Sequence, residues 1–184
     1  LPDFMVFLDW KALPWHWYFS DSFVATLLLV VLAPGLLAWV FGYFAFRSRI
    51  KGVYFSIITQ AMTFAFMLLF FRNETGFGGN NGFTDFKRIL GIPIATPSMR
   101  MVLFVMTGLC LLGCYLAARW LVQSKYGRVL QAIRDAESRV MFSGYSPLPY
   151  KLSIWVISAV MCGVAGALYV PQIGIINPTE MSPA

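Results

Sequence analysis

The sequence predicts an all-α fold, a polytopic bundle of transmembrane helices, and three observations carry that expectation. Of the 184 residues, 59% are hydrophobic and only 12% charged, with a mean hydropathy of +0.70, whereas soluble domains average about 25% charged residues. Four long runs, 22–46, 52–71, 101–118 and 152–170, contain no Asp, Glu, Lys, Arg or His. About 20 apolar residues at a rise of 1.5 Å each cross a hydrocarbon core of about 30 Å. No ionisable group in these runs has to be desolvated at the bilayer centre. Finally, a chain of this length has too small an interior to shelter four such runs from water.

The first twenty residues are aromatic and acidic where a signal peptide would carry a basic stretch. Trp10, Trp15, Trp17, Tyr18 and Phe19 suit a segment at the membrane interface, where amphipathic rings are favoured, and His16 reads as one more interfacial polar group. The start at Leu1 without Met, and the stop at Ala184 soon after an apolar run, lead us to expect further spans beyond both ends. In the first span Pro34 and Gly35 are candidate kink residues, and Pro171 marks an end or a kink of the last.

Orientation follows from the cations, because Lys and Arg in short loops are retained on the cytoplasmic side. Arg47, Arg49 and Lys51 crowd the turn after the first span, and Arg119, Lys125, Arg128, Arg134, Arg139 and Lys151 stand in the loop 119–151. Nine cations therefore fall on one side, against Lys11, Arg72, Lys87, Arg88 and Arg100 on the other, which also holds six of the eight acids. Loop 119–151 is expected to be cytoplasmic and loop 72–100 external. The net charge of +6 reads as topology, since the cations form no single surface of the kind a nucleic acid would need.

Reactive chemistry is not indicated. Cys110, Cys114 and Cys162 lie inside spans without the four N or S ligands of a zinc site. No nucleophile with its base, carboxylate pair or Walker loop stands out, and the cluster Gly76, Gly78, Gly79 and Gly82 lacks the strand and helix of a dinucleotide fold. We expect no catalytic residue, no metal and no directly bound cofactor.

Polar features inside the second span and its following loop are candidates for a solute path. Thr59, Gln60 and Thr63 are polar in an apolar helix, and Gln60 facing lipid would be costly. It either lines a watery passage or bonds a neighbouring helix. Gly79, Asn80 and Asn81 offer unusual backbone angles and uncharged donors and acceptors, suited to a neutral polar solute or to a plain flexible connector.

Residues 125–144 read KYGRVLQAIRDAESRVMFSG, with Val129, Ile133, Ala136 and Val140 spaced as one apolar side of a helix. The other side carries Arg128, Gln131, Arg134, Asp135 and Glu137, and Gly144 before Pro147 and Pro149 ends it. Such a helix rests on lipid headgroups or docks in a groove of a cytoplasmic partner. In the last span Ser158, Cys162 and Gly166, and beside them Ala159, Gly163 and Ala167, make two faces small enough for close helix packing.

Three blocks carry a resemblance. RSRIKGVYFSIITQAMTFAF at 47–66, TGFGGNNGFTDF at 75–86 and YGRVLQAIRDAESRVMFSGYSPLPYKLSIWVISAVMCGVAGALY at 126–169 resemble the permeases of branched-chain amino acid ABC importers. The doubled Asn80 and Asn81 and Ile58 to Gln60 are most similar to the urea-transport branch, while Arg139, Val140 and Met141 depart from the family's usual residues. The resemblance implies a multi-pass protein of the bacterial inner membrane that imports a small polar solute: urea, a short amide or a branched-chain amino acid. It also implies partners: a second permease subunit, two ABC ATPase subunits that use the ATP, and a periplasmic or extracellular solute-binding protein, besides the lipid bilayer. The loop helix would be the ATPase-coupling element, with Gly127, Arg128, Ala132, Arg134, Asp135, Glu137 and Gly144 in that role. Ala132 and Gly144 would permit close approach, and Arg134 and Glu137 would make charged contacts. The competing class is a secondary transporter driven by an ion gradient, which usually needs an ionisable group within the membrane.

Overall fold

A computed structural model describes Tyr18 and residues 22–50, 52–77, 79–83, 88–89 and 92–182. The side chains of residues 73, 81, 88, 89 and 92 lie outside that description, as do the interfacial residues Trp10, Trp15, His16, Trp17 and Phe19. So do Lys11, Lys51, Lys87, Asp3, Asp9, Asp21, Asp85, Gly78 and Thr84.

The chain is all-α. Its helices are α1 (Phe23–Arg47), α2 (Val53–Phe71), α3 (Pro97–Gln123), α4 (Lys125–Phe142) and α5 (Pro147–Ile173). Short 3-10 turns stand at Asn73–Thr75, Gly79–Asn81 and Pro178–Met181, and a two-residue ladder pairs β1 (Arg88–Ile89) with β2 (Ile92–Pro93). Among the described residues four helices are long and apolar enough to cross a membrane: α1, α2, α3 and α5.

Two of these outrun their apolar cores. Helix α3 begins at Pro97 and continues to Gln123, past Arg100 and Arg119, because a charge ends the hydrocarbon crossing but not the backbone hydrogen bonding. Helix α5 begins at Pro147. Proline is favoured at a first helical position, where its missing N–H has no partner to lose, so Pro147 opens one helix as well as closing the segment before it. Pro171 stands inside α5. The helix stops two residues later, before Gly174 at φ 80°.

Two compact units are distinguished, Leu1–Leu28 with Lys51–Leu103 and Ala167–Ala184, and Leu29–Ile50 with Phe104–Gly166. Within the first, α2 packs against the turns Gly79–Asn81 and Pro178–Met181. Phe70 and Phe77 set their rings 5.0 Å apart. A reciprocal backbone pair, Phe83 N–H to Ile176 O (2.9 Å) and Ile176 N–H to Phe83 O (3.0 Å), ties the glycine loop to the chain after α5. Gly82 is required there. At φ 64° it has a left-handed backbone, and a Cβ would meet Ile176 O and Asn177 Oδ1.

Within the second unit α1 presents a seam of small residues, Gly35, Ala38, Gly42 and Ala45, all buried. Residues of α5 fill it. A Cβ on Gly42 would lie 2.8 Å from Trp155 Cδ1, and one on Gly35 would lie 3.2 Å from Val160 Cγ2. The Trp155 ring is held between Phe41 and Phe46, 6.2 Å from each. Pro34 has no N–H to return to the carbonyl four residues back, Val30, and Gly163 of α5 closes on that carbonyl, where a Cβ would be 2.8 Å from Val30 O. Small residues let two backbones approach in this way, and in lipid such close packing is what associates helices.

The expectation of packing faces on α5 is met for Gly163. Cys162, Gly166 and Ala167 are exposed instead. Among the described residues the buried apolar side chains are Ala38, Ala45, Met67, Leu103 and Ile133, while most large apolar residues of α1, α2 and α3 are exposed. Five side chains make no core for water, and the exposed faces match a hydrocarbon solvent.

Candidate functional site

The candidate coupling residues all fall in the second unit, on α4 and its end. Ser124 caps the helix, its Oγ accepting from Gly127 N–H (3.1 Å) and donating to Leu121 O (2.6 Å). Gly127 is buried because the preceding turn doubles back on it: a Cβ would strike the carbonyl oxygens of Leu121 and Val122 and lie 2.7 Å from Val122 C. Ile133 is buried and Val129, Ala136 and Val140 are half-buried, so the apolar side faces inward as the spacing predicts. Arg128, Ala132, Arg134 and Asp135 are exposed. Arg134 Nε bonds Asp135 Oδ1 at 2.9 Å, and that bond and the adjacent charge raise the guanidinium pKa above its already high value. The pair leaves a largely exposed cation and anion side by side.

Two features of α4 differ from a straight docking rod. At Ala136 the backbone leaves helical geometry (φ −153°, ψ 73°), dividing the element into 125–135 and 137–142. Glu137 is not on the solvated face: its carboxylate takes a 2.6 Å bond from Lys151 Nζ, with the two side chains 22% and 28% exposed. The expected charged contact of Glu137 is thus occupied within the chain. Gly144, exposed at φ 87°, ends α4, its N–H bonding Met141 O at 3.0 Å.

Contacts invisible from spacing join α4 to the start of α5. Ser153 Oγ donates to Tyr150 O (2.9 Å), so the hydroxyl of Tyr126 is the donor in the bond those two side chains share. The rings of Tyr126 and Tyr150 lie 4.9 Å apart. On one side α4 borders an apolar groove of about 870 Å³, walled by Cys110 and Cys114 of α3, Leu130 of α4 and Ile154, Ile157 and Met161 of α5.

The candidate path residues fall in the first unit, in two groups. Thr59 Oγ1 donates to Ser56 O (2.8 Å) and Phe55 O (3.1 Å), and Thr63 Oγ1 donates to Thr59 O (3.0 Å). Each hydroxyl proton is spent on its own helix, leaving lone pairs for any other partner. Gln60 is exposed. Gly79 is buried at φ 55° and Asn80 is exposed, while Asn81 contributes only its backbone to the description. Phe70, against which the loop residue Phe77 packs, lies ten residues beyond Gln60, about 15 Å along the helix axis. The two groups are therefore separate levels and form no single cluster. Among the described residues no three His, Cys, Asp or Glu side chains gather as a metal site would require.

Residues 4–184 match the family described as branched-chain amino acid transport system / permease component. The chain belongs to that family. This permease-family chain is 24% identical over 188 residues to the high-affinity branched-chain amino acid transport system permease protein LivM of Salmonella typhimurium, and equally so to that of Escherichia coli. Each alignment covers 90% of the chain and 44% of the relative, so the chain spans less than half the length of the curated relatives it matches. No solved structure matches it. With four such apolar helices among its described residues, the permease-family chain is a multi-pass membrane protein.

Proposed function

We propose that this chain is part of the membrane-spanning permease of an ATP-driven importer in a bacterial inner membrane, and that α4 is the element on which a cytoplasmic ATPase acts. The observation that carries this is the exposed charged face of α4, with Arg128, Ala132, Arg134 and Asp135 on a short helix between two spans. An apolar inner side seats the helix, and the exposed charges supply register to a partner. The assembly then comprises a second permease subunit, two ABC ATPases and an external solute-binding protein, with loop 119–151 and the α1–α2 turn on the cytoplasmic side. Family membership and the two relatives support this grouping. Separate subunits hydrolyse ATP, and no chemistry is assigned to this chain.

The solute is small and polar. Branched-chain amino acids are what the relatives' names carry. The uncharged Thr59, Gln60, Thr63, Gly79, Asn80 and Asn81 favour urea or a short amide, which forms hydrogen bonds but no ion pairs. Uptake of labelled urea, acetamide and leucine into vesicles bearing the assembled importer tests both levels. ATP-dependent, vanadate-sensitive uptake of one of them, needing the binding protein, is expected. Uptake driven by an ion gradient without ATP would refute the proposal.

A further inference from the structure

We infer that Tyr126–Ser153 and Glu137–Lys151 form a two-point clamp that makes α4 and the start of α5 move as one body. The inference rests on the proposal that α4 receives the ATPase's movement, and it names the residues that pass this movement on. Alone, α4 is a poor lever, because its backbone breaks at Ala136. A push on 125–135 would be absorbed there while 137–142 stayed behind. The two contacts stand on opposite sides of that break: Tyr126 holds the first half and Glu137 the second. Both land on α5 within three residues, at Ser153 and Lys151. The break is thereby bridged through a neighbouring helix, and α5 itself is a span.

The ion pair suits this task better than a surface pair. Both members are less than one-third exposed and meet at 2.6 Å, so salt screens them less than solvated charges. The hydroxyl pair is backed by the ring contact of Tyr126 on Tyr150, which limits its swing. Glu137, Lys151, Tyr126 and Ser153 are positioning residues, whereas Arg128, Arg134 and Asp135 form the docking face.

Hydrogen exchange on the assembled importer, with and without ATP plus vanadate, tests the clamp without knowledge of the solute. In the native complex nucleotide is expected to change exchange over both 125–142 and 147–156. In Glu137→Gln, Lys151→Met and Tyr126→Phe the response of α4 should persist, while that of 147–156 falls about fivefold, the effect of losing roughly one contact of this kind. Tyr126→Phe keeps the ring contact and removes only the hydroxyl, and an unchanged melting temperature of its assembled complex separates a loss there from misfolding. The exchanged pair Glu137→Lys with Lys151→Glu should restore the response, because two directly paired charges can re-form their contact with the signs reversed and the two changes are then non-additive. An undiminished 147–156 response in the single variants, or a folded exchanged pair that restores nothing, overturns the clamp. Absence of any nucleotide response at α4 in the native complex would instead sink the docking proposal beneath it.

Discussion

Adding one methyl group at Gly163 should weaken the α1–α5 contact, and the same change three residues along the helix should not. A Cβ on Gly163 would lie 2.6 Å from Pro34 Cγ and 2.8 Å from Val30 O. Carbon atoms pack best at about 3.5–4.0 Å, so α1 and α5 would have to part by roughly 1 Å. Neither neighbour yields easily, one being a proline ring and the other a backbone carbonyl. Overpacking of this kind costs about 1–3 kcal/mol. At Gly166 nothing lies within 4 Å of the added atom. Both substitutions gain the same helix preference of Ala over Gly, about 1 kcal/mol, which cancels in the comparison. The expected difference in stability is therefore the overpacking alone. At about 2–4 °C per kcal/mol for a chain of this size, Gly163→Ala should melt some 2–12 °C below Gly166→Ala in one detergent. A cysteine pair placed across α1 and α5 should cross-link more slowly in the Gly163 variant. Equal melting temperatures, or a lower one for Gly166→Ala, would refute the close approach.

Other changes probe the loops and the proposed roles. Ser124→Ala removes the cap on Gly127 N–H and should cost about 1 kcal/mol, seen as faster exchange of the first-turn amides of α4. Gly82→Ala places a side chain at φ 64° against Ile176 O and should break the 83/176 pair, exposing the 79–83 loop to limited proteolysis while the spans stay protected. Gln60→Leu should leave membrane insertion unchanged and lower uptake, since an exposed amide is lost from the second span; normal uptake would remove Gln60 from the path. Ser138→Cys, on the exposed side of α4, should react with a membrane-impermeant maleimide only after the cytoplasmic side is opened. Labelling of intact cells would reverse the topology.

Much of the architecture was legible from physics that needs no tertiary information. Bilayer thickness sets the length of an uncharged run, so the four spans could be read directly. Their ends could not, because Arg100 and Arg119 limit the hydrocarbon contact while α3 continues through both. The inward side of α4 was equally readable from its period, and Gly144 stops the helix as glycine at that place does. Partnership was not readable. Glu137 shares the charged pattern of its helix, yet its cation stands fourteen residues away, beyond two prolines. Likewise Gly35, Ala38, Gly42 and Ala45 sit in a run that reads only as apolar; their spacing of three and four carries the seam, a signal present in the sequence but overshadowed by Leu, Val and Phe around it.

The seam on α1 also has a history during synthesis. Its partners on α5, Trp155 and Val160 among them, lie more than a hundred residues further along the chain. At about 5–20 residues per second a ribosome needs some 6–25 s to reach them. Until then α1 waits in the bilayer with its glycine groove unfilled, open to whatever helix the translocon holds nearby, and a segment made well before α5 finds its place only after α5 is made.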